Sequence, residues 1–480
     1  MRAVKPYLKI LALVWPLALG MVNNALMQFV DRAFLARESM ASLEAVFPAS
    51  MLALVVLGFF QSIVAYSGTF VANYHGAGDR RRAVSCYRIG TALALLFGAL
   101  SLLFIPAGWW IFEHVVSGEE VVGRGCRYYS ICTAGGVFLY GQMAVQSFFT
   151  GRGKTRAVFF VSLLGNVVNI ALDPVLIFGW FSLPAMGISG AAYATVISLF
   201  LQWVTLAAMA RADIVKDEKK TPLGGSPMAL REYLSIMRRI LRFGIPSGAY
   251  STLNLVSFTI FVFYTTQVGH LETAVSNACF AVNYLIFAPI EGFALGAATL
   301  VAQAKGAGDL EEARRAGWRT AFLALAATAG LLFCTLFFSE EILSIFAPAD
   351  EGAVKFKQLG YVLLLLMAAW QVFEVFDTVI CGALKGAGDT TFVMWWMLLV
   401  SFALWIPSVA IVSRVHNTMP LLWGTMIFQV GVLCLGSVIR WNRGKWQKIV
   451  LSPPSDAGGG PDAKGSFIRD LSMDCGSQSK

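Results

Sequence analysis

Charge is scarce in this sequence. Asp, Glu, Lys and Arg make up 14% of 480 residues, against about 25% in an ordinary soluble domain, which excludes an ordinary cytosolic enzyme. Histidine is rarer still, with 4 in the chain. His75, His114, His270 and His416 fall near the ends of apolar runs and form no cluster, so each reads as a loop residue. The 8 cysteines show no paired spacing, and Cys279, Cys334, Cys381 and Cys434 stand inside apolar runs, so neither a disulfide frame nor a metal site is expected. Nothing supplies the Walker Lys-Ser/Thr pair, a Rossmann strand ahead of its glycines, an HExxH or a catalytic-triad spacing. No cofactor and no enzymatic activity are expected, and any uphill work must draw on an ion gradient.

What fills the space is apolar. Hydrophobic residues make up 57% of the chain, mean hydropathy is +0.67, and stretches such as Ile10–Gly20 and Tyr361–Trp370 carry no charge at all. A helix needs roughly 20 apolar residues to cross about 30 Å of hydrocarbon. Breaking the chain at charge clusters and Gly/Pro punctuation predicts twelve spans, near 10–34, 46–73, 88–112, 128–150, 157–179, 187–210, 242–268, 276–302, 318–338, 358–383, 392–413 and 419–440. The N-terminal apolar run imitates a signal peptide but continues through Asn23, Asn24, Gln28 and Asp31 without a cleavage site, so it reads as the first span. The net charge of +9 points to loops facing the cytoplasm rather than to nucleic acid. With the N-terminus inside, 30 of the 37 Lys and Arg fall on the inner segments, which places both termini in the cytoplasm.

Sliding the chain along itself exposes a repeat. Gly76-Ala77-Gly78-Asp79 recurs as Gly306-Ala307-Gly308-Asp309, an offset of 230 residues that also carries Pro16 onto Pro246 and Asn24 onto Asn254. Gly151-Arg152-Gly153-Lys154 and Gly386-Ala387-Gly388-Asp389 repeat at 235. Each half then holds six spans and keeps its orientation, giving parallel repeats about an axis along the membrane normal with a cavity between them. The expected division is an N-terminal lobe (1–210), a basic cytoplasmic linker (211–241), a C-terminal lobe (242–445) and a disordered tail (446–480).

Ionisable residues within spans are costly, about 2.5–3.5 kcal/mol for an Asp on insertion scales, and are seldom kept without a role. Asn24, Gln28 and Asp31 follow i, i+4, i+7 and share one helical face. Asn166, Asn169 and Asp173 follow i, i+3, i+7, and Pro174 removes the backbone donor that would bond the carbonyl of Ile170. A freed carbonyl beside a carboxylate suits a small hard cation, and Thr195, Ser198 and Gln202 share a face that completes such a shell. Trp370, Glu374 and Asp377 again lie at i, i+4, i+7 and offer a lipophilic cation two carboxylates beside an aromatic ring. Glu291 follows the helix-kinking Pro289. The competing readings are structural: Asp31 as an interfacial cap beside Arg32 and Arg37, Asp173 as a helix-end carboxylate, Asn166 and Asn169 as interhelical glue, and Glu291, Glu374 and Asp377 as acids in water or paired with one another.

Over residues 8–445 the chain resembles the multidrug and toxic compound extrusion (MATE) family. The resemblance is carried by Phe29-Val30-Asp31, the GAGD turn at 76–79, Gln146 to Gly153, Asn169-Ile170-Ala171-Leu172-Asp173-Pro174, Gly190-Ala191-Ala192-Tyr193-Ala194-Thr195 and the turns at 305–309 and 385–389. It implies an all-α, twelve-helix, two-lobe antiporter of a prokaryotic inner (plasma) membrane, a monomer among membrane lipids, exporting organic cations in exchange for H⁺ or Na⁺ by alternating access. It assigns Asp31, Asn169, Asp173 and Thr195 to the cation site and Glu374 to an acid of the second lobe. The acid that some relatives hold in span seven falls on Asn254, which favours a DinF-like pattern with coupling in the first lobe. The rival within the same superfamily is a flippase of lipid-linked sugars, which needs a cationic cavity, whereas the mid-span charges here are mainly acidic. A channel or a membrane-embedded enzyme ranks lower for want of a filter repeat or a catalytic spacing.

Overall fold

The structure, a computed structural model, describes residues 5–116, 118–220, 228–348 and 352–451. Among these no strand occurs, because in lipid a helix satisfies every backbone group within its own segment. The helices are α1 (Lys5–Glu38), α2 (Met40–Gly76), α3 (Arg80–Leu102), α4 (Ile105–Val115), α5 (Glu119–Ala134), α6 (Gly136–Gly151), α7 (Thr155–Phe178), α8 (Ile188–Lys220), α9 (Leu230–Thr265), α10 (His270–Gly306), α11 (Leu310–Phe337), α12 (Ser339–Phe346), α13 (Gly352–Ala387), α14 (Thr390–Leu398), α15 (Ile406–Val415) and α16 (Met419–Asn442). Eleven paths are single stretches long and apolar enough to span a bilayer. The twelfth is α5 and α6 in series, broken at Gly135, where a Cβ would fall 2.3 Å from the Val196 side chain.

Several spans run longer than their apolar runs because polar turns cap them. Asp79 accepts from the Arg82 amide at 2.9 Å and Asp309 from the Glu312 amide at 2.8 Å, so each GAGD turn closes one helix and starts the next. Gly78 and Gly308 sit at φ 75° and 80°, the left-handed region where an L side chain is strained. The segment read as a linker is helical at both ends, since α8 continues to Lys220 and α9 begins at Leu230. Its Pro222, Gly224, Gly225 and Pro227 lie outside the described residues, as do 452–480 of the predicted tail.

The repeat reaches into the core. The first helix of each half begins in the core of the other. Ile10, Leu13, Val14 and Leu17 of α1 pack among Ile290, Phe293, Val301, Val379 and Leu384 of α10 and α13. Their counterparts on α9, Ile236 and Ile240, join the cluster of Phe70, Tyr74, Ile89 and Phe148. Farther along, α1 returns to its own half, where Leu35 packs with Ile177 and Ile188. Pro16 and Pro246 stand inside α1 and α9 near this change of partner.

Contact between the halves concentrates at the end that carries the GAGD turns. Val14 and Ala18 of α1 meet Gly296 and Gly292 of α10, and Phe59 and Ile63 of α2 meet Gly248 and Gly244 of α9. Toward the other end the facing helices leave Phe29 71% and Phe47 53% exposed.

A C-terminal strap crosses the turn end. Trp446 is fully buried and stacks on Trp441 at 4.3 Å, and its indole N–H donates to the Trp441 carbonyl at 2.9 Å. Lys305 donates to the Ala387 and Trp446 carbonyls at 2.7 and 2.8 Å. Leu451, three residues beyond the Lys445–Lys448 turn of this strap, inserts into the first-half core. Trp446→Ala is expected to cost about 3–5 kcal/mol, the usual loss for emptying a buried tryptophan site, and to show as a lower unfolding temperature of the detergent-solubilised protein.

Candidate cation site and central cavity

Three helices build the first-half site. α1 supplies Asn24, Gln28 and Asp31, α7 supplies Asn166, Asn169 and Asp173, and α8 supplies Thr195. Asp173 is 0% exposed. Asn169 and Asn166 are buried as well, so the polar stripe of α7 faces protein rather than lipid. With its amide oriented to satisfy both neighbours, Asn169 donates to Asp31 Oδ1 at 2.9 Å and accepts from the Thr195 backbone amide at 3.2 Å. Asn166 donates to Asn24 Oδ1 at 3.1 Å. The two asparagines therefore fasten α7 to α1, and they do so at the carboxylate.

No donor reaches Asp173. Neither of its carboxylate oxygens accepts a hydrogen bond among the described residues, and its neighbour is the Asp31 carboxyl, close enough for a proton held by one to bond the other. Two like charges in a shared, dry site cannot both persist without a cation or a proton. The structure brings together Asp31, Asn169 and Asp173. Thr195 enters through its backbone, since its hydroxyl donates to the Ala191 carbonyl at 3.0 Å, and Ser198 likewise donates to the Thr195 carbonyl at 2.8 Å. Gln202 packs against Gly165. Sequence reading missed Tyr128 and Cys132 of α5, which lie within electrostatic range of Asp31. Their i, i+4 spacing was the available signal.

Asn24 and Gln28 are exposed toward the space between the halves, where Gln28 reaches Tyr284 of α10 at 3.5 Å. Across that space the second half presents its own acids. Glu374 accepts from the Trp370 indole at 3.0 Å and from the Thr378 hydroxyl at 3.1 Å, so the i, i+4 pair seen in the sequence is a bonded pair. Asp377 is buried and takes the Cys381 thiol at 3.5 Å. Glu291 is exposed although it lies deep in α10, next to Gly292 on the seam with α1. Asn254 is exposed on α9 one turn beyond Tyr250.

Among the described residues, eleven single helical spans and the broken path of α5 and α6, the internal repeat, and a carboxylate buried between helices without a donor define a multi-pass membrane transporter. Residues 16–175 and 246–411 match the MatE family model, and the two matches begin 230 residues apart, at the offset of the repeat. The chain belongs to this family, the MATE multidrug efflux transporters, which are not enzymes. It is 25% identical over 401 residues to the probable multidrug resistance protein YoeA of Bacillus subtilis, covering 81% of this chain and 82% of that protein. To the probable multidrug resistance protein NorM of Pseudomonas aeruginosa it is 28% identical over 413 residues, covering 82% and 81%. Its fold matches that of a multidrug resistance MATE family transporter of the MOP superfamily solved in an outward-facing conformation, with TM-score 0.81, 18% identity and coverage of 92% and 96%. A Pyrococcus furiosus MOP superfamily transporter, described as having a binding pocket of reverse polarity, matches with TM-score 0.78, 20% identity and coverage of 92% and 96%.

Proposed function

We propose that this chain is a secondary antiporter that exports organic cations across a prokaryotic plasma membrane in exchange for H⁺ or Na⁺. The observation that carries the reading is Asp173, fully buried beside Asp31 with both oxygens unpartnered. A carboxylate in that position stores free energy that a proton or a small cation releases on binding. Asp31 supplies the second carboxylate, and Asn169, steadied by the Thr195 amide, holds it in place. The basic turn end faces the cytoplasm in this proposal, with both termini inside, and the space between the halves opens to the other side.

Coupling follows from where Asp31 stands. Its helix starts in the core of the other half and ends in the core of its own. An ion that draws Asp31 toward Asp173 therefore pulls on a helix rooted in both lobes, and a shift in ion occupancy becomes a shift in how the lobes meet. Substrate leaves the acid-lined cavity as the ion enters, and the acids favour a cationic cargo over the anionic head group of a lipid-linked sugar.

The test is efflux of ethidium from proteoliposomes holding the purified protein, under an imposed pH gradient or an imposed Na⁺ gradient. Efflux driven by one gradient and not by the other identifies the coupling ion. Efflux that responds to neither, or a steady ion current without ethidium movement, overturns the antiporter.

A further inference from the structure

Lys385 is the basic side chain that stands among the second-half acids. It lies on α13 at i, i+4, i+8 from Asp377 and Cys381, so the three share one face of the helix. Its ammonium rests 3.6 Å from the centroid of the Tyr250 ring of α9, within the range of a cation–π contact. Glu291 of α10 and Asp377 act on it through space, and Glu374 acts on the same Tyr250. The backbone carbonyl of Lys385 accepts from the Tyr66 hydroxyl of α2 at 2.8 Å, so the residue also marks a joint between the halves. Two carboxyls act on the ammonium, a third acts on the ring that it rests on, and all gather around Tyr250.

An aromatic face that already holds an ammonium, with acids on its flanks, has the chemistry that recognises a lipophilic organic cation. Without a cation the same acids repel one another, Glu291 and Asp377 both acting on Glu374. We propose that Lys385 is a tethered counter-cation, which neutralises the second-half acids when the cavity is empty and which an exported cation displaces from the Tyr250 ring when it binds. The inference rests on the organic-cation reading of the cavity and adds a competitor built into the chain. It makes the lysine a positioning and specificity-determining residue: a bound monocation must replace what the lysine supplied, so weakly held cations are rejected, and the lysine's return to the ring assists release.

The experiment measures binding of tetraphenylphosphonium to the purified protein, and ethidium efflux in proteoliposomes, for wild type, Lys385→Gln, Lys385→Met and Lys385→Arg. Removing a like charge at this range is expected to tighten tetraphenylphosphonium binding about tenfold in both neutral variants, with a lower KM and a lower kcat for ethidium. Lys385→Arg keeps the charge and is expected to stay near wild type. A merely structural lysine gives the opposite signature, namely binding weakened or unchanged in Gln and Met variants that keep the wild-type unfolding temperature, and that result overturns the proposal. Two neutral side chains of different polarity guard against one of them failing to fold. Wild type that binds no tetraphenylphosphonium and moves no ethidium overturns the organic-cation reading, and this inference with it, whereas normal wild-type behaviour with unmoved neutral variants overturns the lysine's role alone.

Discussion

Asp173→Asn is expected to abolish gradient-coupled efflux while raising the stability of the protein. The two effects have one cause. Asp173 is a buried carboxylate with neither oxygen partnered, and an ionised group so placed costs several kcal/mol. Asparagine keeps the shape, removes the charge and offers an amide to the neighbouring Asp31 carboxylate. A gain of about 1–3 kcal/mol is expected, read as a higher unfolding temperature in detergent. The loss is the ion. One charge moved through 100 mV is worth about 2.3 kcal/mol, close to a fiftyfold substrate gradient, and a variant that binds no ion forfeits all of it. Proteoliposomes of the variant are expected to let ethidium equilibrate without concentrating it. Concentrative efflux at the wild-type level would remove Asp173 from the mechanism, and a fall in unfolding temperature would show that its carboxylate is paired after all. Asp31→Asn is expected to lose coupling with less gain in stability, since Asp31 already accepts from Asn169 at 2.9 Å.

The trade between stability and transport also explains what was legible in the sequence. Polar residues inside an apolar run are conspicuous because lipid penalises them, and helical periodicity then says which of them share a face. Asn24, Gln28 and Asp31 on α1 and Asn166, Asn169 and Asp173 on α7 were each found this way, and so was the bonded pair Trp370 and Glu374. Periodicity is a property of one helix, however, and says nothing of its partner. That Asn169 joins Asp31 to the backbone of Thr195, with the threonine hydroxyl turned back onto its own helix, is fixed by the packing of three helices and has no signature along the chain.

Residues near a turn were misleading for the opposite reason. Lys385 stands one residue before a glycine-rich turn and counts among the basic loop charges, yet α13 runs on to Ala387 and carries the lysine inward onto Tyr250. Arg124 reads as an outer-loop charge as well. It binds Glu38 at 3.0 Å, Ser39 at 2.9 Å and Ser42 at 2.6 Å, and so ties the α1–α2 connection to α5. The exchange of α1 and α9 between the two cores escaped for a further reason: their hydrophobic pattern states only that one face is buried, and either half offers an apolar surface to bury it. The repeat itself was legible because the GAGD turns need glycine at a left-handed position and aspartate at the cap, and such requirements survive at fixed spacing.

Those turns also bind the two halves together. The α-carbons of Gly76 and Gly306 lie so close to the opposite helix that a Cβ on Gly76 would stand 2.0 Å from the Gln303 carbonyl oxygen and a Cβ on Gly306 1.8 Å from the Asn73 carbonyl oxygen. The obstacle is backbone in both cases, and no side chain can turn aside to make room. Around this crossing Asn73 donates to the Ala302 carbonyl at 3.2 Å and Gln303 to the Gly151 carbonyl at 2.8 Å, so the turn end is held by bonds that join α10 to α2 and to α6. Gly306→Val is expected to force the helices apart and to cost the shut state about 1–3 kcal/mol in overpacking alone, with the two hydrogen bonds lost in addition at about 0.5–1.5 kcal/mol each. The combined penalty moves an equilibrium between shut and open turn ends by roughly thirtyfold or more. Spin labels carried on unnatural amino acids at Arg80 and Leu310, which leave the native cysteines alone, measure the separation of the two turns directly. Longer distances in Gly306→Val and in Gly76→Val, together with slow efflux and an unfolded fraction no greater than wild type, are the expected outcome. An unchanged distance in both variants with normal efflux would mean that the crossing of α2 and α10 does not gate the cavity, and that the lobes part somewhere else.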